Sequence, residues 1–496
     1  MLFNSYFYIF LFLPITFFVY FFLNKKRLTT ASKGWLILSS LFFYSYWNIV
    51  YLPLILISVF VNYIISTTII EYDELRKKYL SKKIILLAGL VFNIGLLAYF
   101  KYMDFFISNI NSLTNTNIEL LHLALPLAIS FFTLQQIAFL VDAYEGLVKE
   151  RNFVNYTLFV TFFPQLIAGP IVHHKEMMPQ FVNIRNKVKN YKNIALGLFI
   201  FSIGLFKKVV IADTFSIWST TGFDIAESLN LIAAWVTSLS YTFQMYFDFS
   251  GYMDMAIGSA LLFNIKLPRN FNSPYKAIGI IEYWSRWHIT LTNYITTYIY
   301  TPILRSFKNI TFHKAMYATV VAFLISGIWH GASWMFVFWG GLHGTAIAVN
   351  HYWKKYWSKQ LNIKINKYIA WFITFNFVNI TFIFFRAKEW DDAIKVLKGM
   401  IGFSGIVLPN FLSSKLAFLS NYGIDFGNYL LRNINGNAIT ILWIVVGFIL
   451  VLTFNNTNNF HKTFYPKIRY QIAYIFITIY SLMSLNKLSE FLYFQF

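Results

Sequence analysis

The sequence predicts an all-α polytopic integral membrane protein, on three observations. Hydrophobic residues make up 57% of its 496 positions, aromatics 21% and charged residues only 12%, against roughly 25% charged in an ordinary soluble domain. The mean hydropathy is +0.55, so a water-soluble form would expose a large apolar surface. The apolar residues run continuously, whereas a membrane barrel shows alternating segments of about ten residues. A large cytosolic enzyme and a disordered chain are both excluded.

Lys and Arg total 41 and Asp and Glu total 20, a formal net charge of +21. The positive charges fall in short loops between apolar runs, as cytoplasmic loops require. Nucleic-acid binding is therefore not the reading of the basic balance. There is no cysteine. Disulfides, thiolate metal sites and a cysteine acyl-enzyme are ruled out, and the compartment is left open.

The first run, Ser5 to Leu23, is followed by Lys25, Lys26 and Arg27, and reads as an uncleaved anchor with its N-terminus outside. Runs at Trp35–Trp47 and Tyr51–Ile70 precede a loop with Arg76, Lys77, Lys78, Lys82 and Lys83, so they form a hairpin that begins and ends in the cytoplasm. Ile84–Phe100 leads outward to the asparagine-rich stretch Asn109–Asn117, and Leu121–Val141 returns to Lys149 and Arg151. Phe153–Val172 is interrupted by Pro164, Gly169 and Pro170 and has basic flanks on both sides. It reads as re-entrant, a backbone tolerated at membrane depth only inside protein or beside a wet cavity.

Ile194–Trp218 goes out to Asp224 and Glu227, and Leu231–Phe263 comes back to Lys266 and Arg269. Trp287–Leu304, between Arg286 and Arg305, is the second re-entrant candidate. Ala315–Trp329 and Ala332–Asn350 form a hairpin, Tyr368–Phe385 goes out, and Ile439–Phe454 and Gln471–Leu485 complete the chain. The expectation is about twelve crossings plus two re-entrant elements, at roughly 20 residues each. The whole of 1–496 is expected to be one membrane domain. Its parts are N-terminal helices to 120, a core over 121–350, and C-terminal helices over 351–496 with an outside loop near 386–438.

Polar residues inside apolar runs carry the functional signal, because a charge at the centre of a membrane helix costs roughly 2.5–3.5 kcal/mol on an insertion scale. One cluster is Gln244, Asp248, Ser250 and Asp254, with Gln244 and Asp248 four apart and so on one helix face. A second is Glu282, Arg286 and His288, whose first two members have ion-pair spacing. A third is His330, with His343 thirteen residues on. A buried neutral imidazole at 330 is a usable general base, and Gly327 and Gly331 beside it permit close approach. The alternative is a histidine hydrogen-bonded to a neighbouring helix, which is the favoured reading of His343. His173 and His174 lie in a basic loop and are expected to be solvated. No metal site is expected, since the histidines lack close ligand spacing. Trp284, Trp287, Trp329, Trp334 and Trp339 lie beside the polar clusters. Lys207 and Lys208 read as snorkelling side chains or phosphate ligands. No phosphate-binding loop or dinucleotide fingerprint is present.

These stretches together resemble the membrane-bound O-acyltransferase (MBOAT) family. The branch they are most similar to acts in bacterial alginate and peptidoglycan O-acetylation, with teichoic acid D-alanyl transfer more distant. The resemblance rests on Ser130-Phe-Phe-Thr133 with Asp142-Ala-Tyr, Phe163-Pro-Gln-Leu-Ile-Ala-Gly-Pro-Ile171 and Gly204-Leu-Phe-Lys-Lys-Val-Val-Ile-Ala-Asp213. It continues in Asp248-Phe-Ser-Gly-Tyr-Met-Asp-Met-Ala-Ile-Gly258, Leu267-Pro-Arg-Asn-Phe-Asn-Ser-Pro-Tyr275 and Trp284-Ser-Arg-Trp-His-Ile-Thr-Leu291. It ends with Trp329-His-Gly-Ala-Ser-Trp334 and Trp339-Gly-Gly-Leu-His-Gly344. The chain departs from the family at Tyr300-Thr-Pro-Ile-Leu-Arg-Ser-Phe307, where relatives carry a Gly-Gly-Asn-Arg-like turn.

The resemblance implies the MBOAT fold, a ring of helices with funnels from both faces. It places the catalytic histidine at His330 and a second catalytic position at His288. Substrate-binding candidates are Gln244, Asp248, Ser250, Asn272, Trp284, Arg286, Trp287 and Trp329. Lys207, Lys208, Arg269, Lys276 and Arg305 are candidates for the donor's phosphates. The implied activity moves an acetyl group from cytoplasmic acetyl-CoA, or an acyl-carrier thioester, to an extracytoplasmic glycan through an extracytoplasmic acetyltransferase partner protein. Peptidoglycan is the preferred acceptor over an alginate-like polysaccharide. No bound cofactor is expected, and the setting is the bacterial inner membrane with its lipid. Base catalysis by His330 and a transient acyl-histidine both remain open. The rival class is an ion-coupled transporter, since intramembrane carboxylates and broken helices also mark transport. A scaffold for an extracellular acyltransferase is a third reading, compatible with the first.

Overall fold

A computed structural model describes residues 1–74, 80–357, 365–460, 464, 468–486 and 491–492. Arg76, Lys77 and Lys78 of the expected basic loop lie outside the described residues. The architecture is helical, and among the described residues the strands are Ile406–Pro409 and Ile424–Gly427, paired in parallel. Every apolar run anticipated from the sequence is occupied by helix, although the helix boundaries move by several residues.

Seven helices among the described residues are long and apolar enough to cross a bilayer: Tyr8–Lys25, Ile49–Ile70, Lys82–Thr114, Tyr191–Ile225, Phe312–His330, Lys367–Arg386 and Ala438–Asn459. The expected twelve is a larger number, for two physical reasons. Thr29–Ser45, Ile129–Tyr144 and Tyr470–Met483 are each 17 residues or shorter. Leu231–Leu262 and Trp334–Tyr352 are long enough, but their polar side chains dilute the apolar content.

The membrane-length helices differ widely in burial. Only 17% of the apolar window in Lys82–Thr114 is buried, against 67% in Tyr191–Ile225. Leu87, Val91 and Ile94 of the former are exposed apolar side chains, which hydrocarbon solvates at no cost.

The chain divides into two compact units. The first comprises Met1–Leu205, Gly251–Arg269 and Phe460–Phe496, and the second Phe206–Ser250 and Asn270–Asn459. Within the first unit the proline-bearing run is broken as expected. Helix Phe153–Thr161 ends at Phe162, and Phe163–Leu166 makes one further turn. Gln135 and Gln165 both donate through Nε2 to the Phe159 carbonyl, at 2.9 and 2.6 Å. A carbonyl near a broken helix end is thereby satisfied inside protein. At Gly169 a Cβ would stand 2.3 Å from the Gln165 Cα, so the turn after Phe163–Leu166 requires glycine.

Within the second unit, helices Phe312–His330 and Trp334–Tyr352 form a hairpin closed by Gly331, Ala332 and Ser333. Ser333 caps the returning helix by accepting from the Met335 N–H. The helices meet through glycine: a Cβ at Gly327 would lie 2.2 Å from the Phe336 carbonyl oxygen, and one at Gly340 would lie 2.4 Å from that of Phe323. Of the two glycines near His330, Gly327 thus serves backbone approach, while a Cβ at Gly331 would stand 2.2 Å from the Phe336 ring.

Candidate active site

His330 is the last residue of its helix and is 5% exposed. Aromatic rings frame it edge-on. Ring centroids lie 4.9 Å away for Trp329, 5.1 Å for Trp339 and 5.2 Å for Phe385. These rings come from both helices of the hairpin and from Lys367–Arg386, so three elements fix the imidazole. The helix C-terminus favours positive charge through its unpaired carbonyls. Trp339 Nε1 is buried and has no hydrogen-bond partner among the described residues. A buried, unsatisfied donor beside a buried base is the kind of group that a substrate oxygen satisfies.

His288 lies near Trp329, the two ring centroids 6.5 Å apart. It is fully buried and caps helix Ile289–Ile295 with a left-handed backbone, φ 43° and ψ 50°. Non-glycine residues adopt that region only when their surroundings hold them there. Asn270 supplies the hold. Its Oδ1 accepts from the Thr290 N–H at 3.1 Å and the Thr290 hydroxyl at 2.9 Å, and meets His288 Nδ1 at 3.2 Å. Its carbonyl accepts from the Ile289 N–H at 2.9 Å. With Oδ1 acting as the acceptor, Nδ1 donates, and Nε2 is the nitrogen that carries the lone pair. Phe249 packs edge-on to this ring at 4.9 Å.

His343 is hydrogen-bonded to neighbouring helices, the reading the sequence favours. Trp284 Nε1 donates to its Nδ1 at 3.1 Å, and its Nε2 meets the Thr381 hydroxyl at 3.0 Å. Thr381 itself donates to the Val378 carbonyl, so the imidazole Nε2–H must donate to Thr381. The ring packs at 4.8 Å against Trp339, and so supports the wall of the His330 site.

The expected pairings on single elements are present. Gln244 and Asp248 face one helix: Ser219 donates to Gln244 Oε1, and Lys208 Nζ lies 2.6 Å from Asp248 Oδ1. Arg286 donates to Glu282 Oε1 through Nε and Nη2 at 3.0 and 2.7 Å. Trp287 stacks on Tyr283 at 5.8 Å and 14°. Ser250 is buried, and its hydroxyl has no partner among the described residues.

Two expectations are corrected. Lys208 is not at a rim for phosphates or snorkelling. It is 2% exposed and held between Asp213, at 3.0 Å, and Asp248, because a buried ammonium requires carboxylate partners. His173 and His174 are not two solvated side chains either, since His174 is 6% exposed and both rings meet Asp142. Among the other donor candidates, Arg269 and Arg305 are exposed and Lys207 is half-buried. Lys276 donates to the Phe454 carbonyl at 3.0 Å. Asn272 takes part through its main chain, bonded both ways to Arg286. Asn270, two residues earlier, is the asparagine at the histidine, and the sequence reading missed it. Its only sequence signal is its place in the 267–275 motif. Tyr300-Thr-Pro-Ile-Leu-Arg-Ser-Phe307, the departure from the family, is helical through Arg305.

A buried imidazole in an indole frame, on a chain with several membrane-length helices, defines the class. The chain belongs to the MBOAT, membrane-bound O-acyltransferase family, whose profile matches residues 17–388. It is an acyltransferase and a multi-pass membrane protein. Over its whole length it is 44% identical to a "Peptidoglycan O-acetyltransferase" of Helicobacter pylori, covering 98% of that protein. It is 33% identical to a "Probable alginate O-acetylase AlgI" of Pseudomonas aeruginosa over 81% of this chain and 75% of the relative. A "Teichoic acid D-alanyltransferase" of Streptococcus thermophilus is 26% identical over 52% of this chain and 68% of the relative. No comparison supports the transporter reading.

Proposed function

We propose that the protein moves an acetyl group from cytoplasmic acetyl-CoA across the bacterial inner membrane for O-acetylation of an extracytoplasmic glycan, peptidoglycan foremost. The observation that carries the chemistry is the buried His330 imidazole beside the unpartnered Trp339 indole N–H. The full-length 44% likeness to a peptidoglycan O-acetyltransferase supports the acceptor. Alginate acetylation and teichoic acid D-alanylation rank behind it on lower identity over less of the chain.

In this mechanism His330 takes the proton of the acceptor hydroxyl as that oxygen attacks the thioester carbonyl. The carbonyl oxygen becomes an oxyanion, for which the Trp339 N–H is a candidate donor. The carbon–sulfur bond then breaks, and the imidazolium returns its proton to the departing thiolate. His288, held by Asn270, orients the acceptor or stabilises charge. Gln244, Ser250, Trp284, Trp287 and Trp329 shape the path between the faces. Lys207 and Arg305 serve the donor's phosphates, with an acyl-carrier thioester as the other donor. About twelve crossings with re-entrant helices in one membrane domain, and an extracytoplasmic acetyltransferase partner protein, complete the proposal.

The test is the O-acetyl content of isolated peptidoglycan from cells lacking the gene and complemented with wild type or His330→Ala. Restoration by wild type alone is expected. Restoration by both refutes the role of His330, and restoration by neither, with the wild-type protein present in membranes, refutes peptidoglycan as acceptor.

A further inference from the structure

The first unit contains a side-chain cluster that the proposed acyl transfer does not use. Asp142 comes from the end of helix Ile129–Tyr144, and His173 and His174 from the start of helix His174–Val182. Both imidazole Nε2 atoms meet one carboxylate oxygen, Asp142 Oδ2, at 2.6 Å for His173 and 3.0 Å for His174. Neighbouring residues rarely aim their rings at one point. Here the backbone permits it, because His173 is extended, at φ −97° and ψ 141°, while His174 is already helical. The ring centroids are 4.4 Å apart. One ligand atom from each of the three residues falls within 4.8 Å of the others.

We infer that Asp142, His173 and His174 form a binding site for one divalent transition-metal ion, of which Zn²⁺ is the type. Two imidazole nitrogens and one carboxylate oxygen suit zinc, cobalt or nickel, whereas calcium and magnesium require mostly oxygen ligands. Ligand bonds of about 2.0–2.2 Å are reached by small side-chain rotations from the observed spacing. Asp142 and His174 are nearly enclosed, at 4% and 7% side-chain exposure, while His173 is 31% exposed and leaves an approach from outside. Three protein ligands leave a fourth position for water or another ligand.

Binding has a defined proton consequence. His173 Nδ1 now accepts from the Lys175 N–H at 3.3 Å, so its Nε2 carries the proton. To present a lone pair at Nε2 the ring moves that proton to Nδ1 and gives up the Lys175 bond. Phe139 packs edge-on to His174 at 5.4 Å and holds that ring in place. The ion would tie helix Ile129–Tyr144 to the chain directly after the broken segment 153–172. Sequence spacing hid the site, since Asp142 lies 32 residues before His174.

The test uses tag-free full-length protein in detergent, stripped with a chelator and then equilibrated with Zn²⁺ or Co²⁺. Metal content is read by mass spectrometry and ligation by the Co²⁺ absorption spectrum. One ion per chain is expected, with a tetrahedral cobalt spectrum. His173→Ala, the variant with least effect on packing, is expected to weaken binding by more than the roughly 10–100-fold typical of a lost supporting partner. Asp142→Asn and His174→Ala are expected to abolish it. Folded wild type that retains no stoichiometric metal overturns the inference. So does metal bound equally by wild type and His173→Ala.

Discussion

Lys208 carries its charge into the protein interior, where Asp213 and Asp248 receive it. Its neighbour Lys207 shares the residue type and the motif, yet only Lys208 is buried. Which of two adjacent lysines turns inward depends on a partner forty residues away, so the sequence alone left both at the rim. Removing one partner of such a buried set strands charge and costs about 3–5 kcal/mol. Lys208→Met is therefore expected to lower the thermal midpoint in detergent sharply. The triple variant Lys208→Met, Asp213→Asn, Asp248→Asn is expected to recover much of the loss. An unchanged midpoint in Lys208→Met contradicts the assignment. Asn270 gives a second case. Asn270→Ala leaves the Thr290 N–H, the Thr290 hydroxyl and His288 Nδ1 without their shared acceptor, at about 1–3 kcal/mol for each buried group left unpaired. Lower stability and lower turnover are expected together, and a fully active, equally stable Asn270→Ala refutes its hold on His288. By contrast, His330 stood out in the sequence alone, because an ionisable side chain deep in an apolar run is rare.

Helices show which signals survive without tertiary information. Pro164, Gly169 and Pro170 announced a broken segment, and the break falls at Phe162, immediately before the proline turn. The spacing of Gln244 with Asp248, and of Glu282 with Arg286, placed each pair on one face, since helical period alone decides that. The left-handed turn at His288 was not legible, because nothing in Trp-His-Ile requires it until Asn270 is in place. The His330 hairpin was read as two helices, but the glycine contact between them shows only in the packed pair. Gly340→Val tests that contact. Its Cβ would stand 2.4 Å from the Phe323 carbonyl oxygen and 3.2 Å from the Gly327 Cα. Overpacking of this kind costs typically 1–3 kcal/mol, occasionally more, and would shift Trp339 against His330. Reduced stability with a larger loss of activity is expected, measured by melting and by turnover on the same sample. Wild-type values for both would show that the close approach is dispensable.

At the scale of the whole molecule, composition settled the class before any motif was needed. So few charges in so apolar a chain leave only a membrane solvent for the surface. The number of crossings was harder to read, because two long helices bear polar side chains in their interiors. Leu231–Leu262 bears the Gln244 and Asp248 face, and Trp334–Tyr352 bears Trp339 and His343. Such side chains dilute the hydropathy by which a crossing is recognised. The division into two units was not visible at all, since each unit gathers segments far apart in sequence. The groups proposed for the His330 chemistry, from Lys207 to Phe385, fall in the second unit.

The central claim is that His330 drives acyl transfer from a thioester. It is tested most directly with purified wild type and His330→Ala in detergent, given acetyl-CoA and a colorimetric thiol reagent. The protein has no cysteine, so it adds no thiol of its own, and a reaction without acetyl-CoA sets the background of the partner fraction. With a glycan fragment and the partner fraction supplied as acceptor, wild type is expected to release thiol. His330→Ala is expected to be slower by about 10²–10⁴, the range general base catalysis contributes. Equal release by the two proteins would contradict the account.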